Sequence, residues 1–196
     1  MFYNSLTGFM SSGAEKAWID ITAAMWTQGD VASFTLGTGT VSTTAADKTI
    51  ITANDFIAAD QDFDYRMACS AFADQNGLGF GWTNNGILFG GNIPKAVDPT
   101  ASIRNGGGAA GLVHDGNLMD VDGAGETAGW MASKRMQLSR RTATFYVLMD
   151  DVLYRTFTEI TSTTAGNLFI ISFGGTTSIS MTGVQYRVGP GLPAIS

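Results

Sequence analysis

From Asp62 to Phe72 the residues Phe63, Tyr65, Met67, Cys69 and Ala71 alternate with Asp62, Asp64, Arg66, Ala68 and Ser70. A period of two is the mark of a strand with one buried face, so Phe63, Tyr65, Met67 and Cys69 are expected inside and Asp64 and Arg66 outside. Gln75-Asn76-Gly77 then reads as a turn into Leu78-Gly79-Phe80-Gly81-Trp82, and the two runs together predict a hairpin. The glycines of the second run permit close packing or a bulge. A second hairpin lies between Thr142 and Ile160, where Thr144-Phe145-Tyr146-Val147-Leu148-Met149 reaches Asp150-Asp151 and returns as Val152-Leu153-Tyr154-Arg155-Thr156-Phe157. Two aspartates suit its tip because Asp tolerates positive φ better than most side chains. Gly166 to Phe173 and Ser178 to Val188 add two strands, and Val31 to Leu36 and Lys48 to Thr52 bring the total to about eight or more.

Elsewhere the pattern differs. Ser12-Gly13-Ala14-Glu15 has the spacing of a capping box, and Ala14, Ala17, Trp18, Ile21 and Met25 recur at helical intervals up to Gln28-Gly29, which predicts a short N-terminal helix. A strand through Trp18 to Thr22 is the competing reading. Between Gly90 and Arg141 the alternation dissolves into glycine-rich stretches such as Asn105 to Gly111 and Asp122 to Gly125, read as long loops around one or two short strands such as Gly111-Leu112-Val113. After Val188 the prolines at 190 and 193 end the last strand, because they lack a ladder donor. The organisation expected is an arm or short helix over 1–30, a β-sandwich domain over 31–188 and a tail over 189–196.

Short strands with frequent turns and little helix point to a two-sheet sandwich. The strand from Asp62, the glycine-rich strand to Trp82, the hairpin around Asp150-Asp151 and the late strand Asn167-Leu168-Phe169-Ile170-Ile171-Ser172-Phe173 together resemble the concanavalin A-like (laminin-G-like) jelly-roll sandwiches. Asp151 stands where that family often has glycine. The resemblance implies an all-β, antiparallel jelly-roll, a fold that serves lectins, glycoside hydrolases, lyases and structural modules alike and so does not fix function.

Composition narrows the partners. With 11 basic and 17 acidic residues among 196, the chain carries a formal charge of −6, which argues against a surface that tracks phosphates. Nucleic acid is therefore not expected. Charged residues make up only 14%, so Thr, Ser, Asn, Gly and Ala cover the surface, as in proteins packed against copies of themselves. No basic leader opens the sequence, and no run approaches the roughly 18 apolar residues of a membrane helix. The single Cys69 reads as a small core residue. This neutral skin on a sandwich, with scarce Lys and no signal, also resembles bacteriophage virion proteins. That likeness implies a homo-oligomeric decoration or accessory component of a virion made in the host cytoplasm, with copies of itself and other virion proteins as partners. A glycan-binding receptor-recognition protein on the same fold is the alternative.

Catalytic parts are scarce. His114, the one histidine, has no nucleophile motif around it and reads as a loop residue, and no pair among Glu15, Glu126 and Glu159 repeats along an inward strand face. No enzyme and no obligatory cofactor are expected. Calcium is the most specific chemical alternative: Asp115, Asn117, Asp120, Asp122 and Glu126 gather hard oxygen ligands in one loop, though without the EF-hand series, and an ordinary acidic turn is the competing reading. Trp130 is the candidate glycan platform, whereas Trp82 is expected in the core and Trp18 and Trp26 over a helix face or a neighbour. Lys134, Arg135, Arg140 and Arg141 form a small basic patch, read as a solvated face or a subunit contact.

Overall fold

The computed structural model describes residues 15–69, 77–84, 100–105, 111–114, 117–119, 133–173 and 178–195. Among them the chain forms fifteen strands and two single 3₁₀ turns, Ala23–Met25 and Val31–Ser33. The strands are β1 Ile19–Asp20, β2 Trp26–Gly29, β3 Thr35–Gly37, β4 Thr40–Thr43, β5 Lys48–Thr52, β6 Phe63–Cys69, β7 Gly77–Thr83, β8 Thr100–Asn105, β9 Gly111–His114, β10 Asn117–Met119, β11 Arg135–Arg141, β12 Thr144–Met149, β13 Val152–Thr161, β14 Asn167–Phe173 and β15 Ile179–Val188. One sheet runs β13-β12-β11-β6-β15-β4-β3, with β1 also on β15; the other runs β10-β9-β8-β7-β14-β5-β2. The two antiparallel sheets make the expected all-β sandwich.

The core forms where the inward rows of the two sheets meet. Phe63, Tyr65, Met67 and Cys69 of β6 join Leu138 of β11, Phe145 of β12, Phe80 and Trp82 of β7, and Ile170 of β14 in one cluster. Aromatic rings bridge the sheets: Tyr65 meets Phe80 edge-on at 5.3 Å, and Trp82 lies 5.1 Å from Phe145. Alternation along β7 turns Gly79 and Gly81 to the opposite face, in register with Ile171 and Phe169 of β14, where Ile51, Phe169 and Ile171 form a second buried cluster. At Gly166 a Cβ would lie 2.4 Å from the Trp82 indole nitrogen, so that tryptophan seats only against glycine.

The hairpin at Asp150-Asp151 forms as expected, with φ of 50° and 68° at its two central residues, the mirror-image turn that suits strand twist. The hairpin expected between Asp62 and Trp82 does not form. β6 pairs with β11 and β15, and β7 pairs with β8 and β14, so the chain crosses from one sheet to the other between them. Alternating strands look the same whether they pair or face each other across a core, which is why local pattern misassigned the partner. The helical spacing from Ala17 to Met25 is likewise overridden; Ser12 to Ala14 lie outside the described residues. β1 pairs with β15, the Ile21 amide donates to Val184 and the Ile21 carbonyl accepts from Gly39, so Ile19 to Ile21 are bound into the sheet. Val31–Ser33 forms a 3₁₀ turn where a strand was expected, and the region read as loops holds β8, β9, β10 and β11.

Candidate functional site

The outward row of the first sheet is where polar chemistry gathers. Register places Gln185, Arg66, Gln137 and Leu148 side by side across β15, β6, β11 and β12, and Arg187, Asp64, Ser139 and Tyr146 in the neighbouring row. The phase on β15 depends on a bulge. Met181 opposes Cys69 on the core face, yet an extra residue between Thr182 and Gln185 turns Gln185 and Arg187 outward, where unbroken alternation would have turned them in. Gly183 sits in this bulge at φ 59°, the left-handed region that glycine enters at no steric cost.

Asp64 is fully buried at the centre of this face. Arg187 Nε donates to its Oδ2 at 2.7 Å, and Arg141 Nη1 lies 2.8 Å from Oδ1 as an ion pair. The Arg141 N–H groups aim at the carbonyls of Phe63, Arg140 and Pro193. Arg187 also holds the Glu15 carboxylate and the Lys16 carbonyl. The two arginines thereby pin residues 15–16 and 193 to the sheet, and the carboxylate between them offsets their mutual repulsion.

Beside this cluster Trp18 lies against two guanidinium groups, 3.6 Å from that of Arg66 and 4.2 Å from that of Arg187. Arg66 Nε and Nη2 both donate to Gln185 Oε1, and the Gln185 amide nitrogen donates on to Asp20. Arg135 grips Asp151 with Nε and Nη2, a two-pronged pair that also ties β11 to the hairpin tip. Between these groups opens a cleft of about 280 Å³, lined by Trp18, Arg66, Gln137, Leu148, Asp151 and residues 193–195, among others. Burial, and then the neighbouring charge of Arg135, press the Arg66 pKa down, although a guanidinium keeps its proton.

A larger cavity of about 480 Å³ lies at one end of the sandwich, between residues 58–62, Thr142, Thr163 and Gly189-Pro190. Several of its polar groups are already engaged. Arg140 reaches toward it from the core and takes the carbonyls of Ala58, Gln61 and Thr164, the Thr142 amide donates to the Asp62 carboxylate, and the Gly189 amide donates to the Asp62 carbonyl. The basic patch expected at Lys134 to Arg141 is thus divided by the strand it sits on. Arg140 shares the inward row with Phe63 and is fully buried; Arg135 and Arg141 belong to the outward face.

The candidate calcium ligands Asp115, Asp120, Asp122 and Glu126 and the candidate platform Trp130 lie outside the described residues, and of Asn117 only the backbone, in β10, is described. His114 ends β9 instead of lying in a loop. Among the described residues no cluster of His, Cys, Asp or Glu is placed to hold a metal ion. Trp26 and Trp82 are core residues, and Cys69 is buried, its thiol pushed up to about 12 by burial. Trp18, Arg66, Gln137 and Arg187 were not foreseen as a group. The alternation marked Arg66 as outward, but nothing local in the sequence says that four separate segments meet there.

The sequence matches no protein-family profile and no curated protein. Solved structures share the fold. The potassium-bound carbohydrate recognition domain of Emp46p superposes with a TM-score of 0.57 at 13% identity, over 87% of this chain and 90% of that one. The exoplasmic/lumenal domain of VIP36, in a Ca2+/Man3GlcNAc-bound form, gives 0.52 at 10% identity, over 84% and 82%. Crh5 transglycosylase in complex with NAG gives 0.55 at 13%, over 89% and 84%. The fold is therefore a lectin-like jelly-roll sandwich, as the concanavalin A-like resemblance implied, in a class that holds both carbohydrate recognition domains and enzymes.

Proposed function

We propose that this chain is a non-enzymatic glycan-recognition module and that the cleft on the outer face of the first sheet is its site. The observation that carries the reading is the cleft itself: a polar floor of Arg66 and Gln137 beside apolar Trp18 and Leu148. Sugars present both hydroxyls and apolar C–H faces, and sites for small molecules pair a few fixed polar groups with an apolar wall. The volume falls just below the ~300–1,000 Å³ usual for such sites, which suits one or two sugar units instead of a long chain. The carbohydrate recognition domains among the structural neighbours support the same reading.

The non-enzymatic part draws support from the occupation of several described carboxylates. Asp64 is held by two arginines, Asp151 by Arg135, Asp62 by the Thr142 amide and Asp30 by the Thr49 amide and Lys48. Acid–base hydrolysis needs two carboxyl groups facing a sugar bond across open space. The intact chain on a broad glycan array, followed by calorimetry on the hits, tests binding; a chain that captures no glycan defeats the proposal. Incubation with a polysaccharide panel is expected to release no reducing ends or unsaturated products. The lectin-like likeness favours this reading over the virion component, for which it supplies no support. Virion placement and self-association stand as separate proposals, the second tested by light scattering.

A further inference from the structure

We infer that the cleft selects acidic sugars, with the Arg66 guanidinium as the receptor for a sugar carboxylate; this rests on the glycan-recognition reading above. Of the four arginines on this face, three have a carboxylate partner: Arg135 holds Asp151, Arg141 pairs with Asp64, and Arg187 pairs with Asp64 and Glu15. Arg66 has none within ion-pair distance among the described residues. It reaches Asp20 only through the amide of Gln185.

Its geometry is nonetheless fixed. Trp18 backs the guanidinium at 3.6 Å, and Gln185 Oε1 takes Nε and one N–H of Nη2. Among the described residues this uses two of five donors and leaves both hydrogens of Nη1 and the second of Nη2. Nη1 and Nη2 form the end of the fork, where two parallel N–H groups match the two oxygens of a carboxylate. Burial and then the like charge of Arg135 disfavour the bare cation; Asp151 and Asp64 offset this in part and Arg187 adds to it, and the net direction is down, so an incoming anion relieves a cost already present in the fold. Asp151, on the cleft wall, opposes an anion less than its charge suggests, because Arg135 grips both its oxygens. Leu148 offers apolar surface for the sugar ring beside the Trp18 side chain that lines the same cleft, and Gln137 a polar group for its hydroxyls.

The test pairs tetragalacturonate with its fully methyl-esterified form, which differ in charge and little in shape. Calorimetry on the intact chain is expected to give at least tenfold tighter binding of the acid, weakening as salt rises from 50 to 500 mM while the ester is unaffected. Arg66→Gln is expected to weaken the acid about 10- to 100-fold, the loss of a charged hydrogen-bonded pair, and the ester less than threefold. Arg66→Lys keeps the charge without the fork and is expected to fall between. Equal affinity for acid and ester, or acid binding indifferent to both Arg66 variants and to salt, overturns the inference and leaves the glycan reading standing. The salt series decides the matter even where Arg66→Gln fails to fold. A sulfated neutral tetrasaccharide bound as tightly as the acid also overturns it, in favour of a general anion site. Failure of every glycan, acidic and neutral, on the array overturns both readings together.

Discussion

Replacing Arg140 by methionine isolates what a buried cation contributes to this fold. The side chain is fully buried beside Phe63 and Trp82, each ring centre 5.4 Å from its guanidinium carbon. It donates to Gln61 O at 3.1 and 2.7 Å, to Ala58 O at 3.1 Å and to Thr164 O at 2.8 Å. Burial lowers its pKa while Asp62 and Asp60 work the other way, and no carboxylate contacts it among the described residues. Hydrogen bonds to a charged donor contribute about 1.5–3 kcal/mol each. Three stranded carbonyls would therefore cost far more than one bond, but methionine also removes the desolvation cost of the charge. Water in the adjoining cavity can rehydrate the carbonyls of Ala58 and Gln61. The net loss expected is about 3 kcal/mol, which for a domain of this size lowers Tm by roughly 6–12 °C. Arg140→Lys keeps the charge, but one ammonium cannot span three carbonyls, so about half the loss is expected. Thermal melts followed by circular dichroism read the difference. Hydrogen exchange adds a local signature, since the Asp60 amide bonded to Thr163 should lose protection before the sheets do. An Arg140→Met chain melting within about 2 °C of the parent, with Asp60 still protected, would refute the argument that this guanidinium organises the loops.

Four further outcomes are expected of the same structure. Asp64→Ala leaves Arg141 and Arg187 facing each other without their shared carboxylate and is expected to cost about 3–5 kcal/mol in urea unfolding, with Asp64→Asn costing less because it still accepts from Arg187. At Gly183 an added Cβ meets no atom within 4 Å, so Gly183→Ala is expected to cost only the left-handed backbone, about 1–2 kcal/mol by thermal melt, and Gly183→Asn less. Cys69 has its pKa raised from 9.0 to about 12, so the unfolded chain ionises first as pH rises; stability is then intact below pH 9, falls between pH 9 and 12, and falls less in Cys69→Ala, as urea midpoints across that range will report. If Asp115, Asn117, Asp120, Asp122 and Glu126 form only an acidic turn, melts in calcium and in chelator should coincide; a shift of several degrees would instead establish a metal site, because binding to the folded state alone at a hundredfold excess over Kd adds about 2.7 kcal/mol.

What the sequence determined by itself was whatever depends on near neighbours in the chain. The alternation through Phe63, Tyr65, Met67 and Cys69 set a buried face, because side chains on a strand must alternate, and all four are in the core. Asp150-Asp151 set a hairpin, because both residues enter positive φ at modest cost. Enough such strands with turns between them imply a sandwich, since each half-buried strand needs a facing layer. Tertiary structure alone decided which strands pair. β6 and β7 are neighbours in sequence yet lie in opposite sheets, and an inward row reads the same whichever partner it meets. It also decided the meaning of charge. Arg140 and Arg141 are adjacent, but pleating sends one among aromatic rings to hold loop carbonyls and the other to the outer face beside a buried aspartate. The cleft was hidden for the same reason: Trp18, Arg66, Gln137 and Arg187 come from four distant segments, and a one-residue bulge at Gly183 sets the phase that turns Arg187 toward the others.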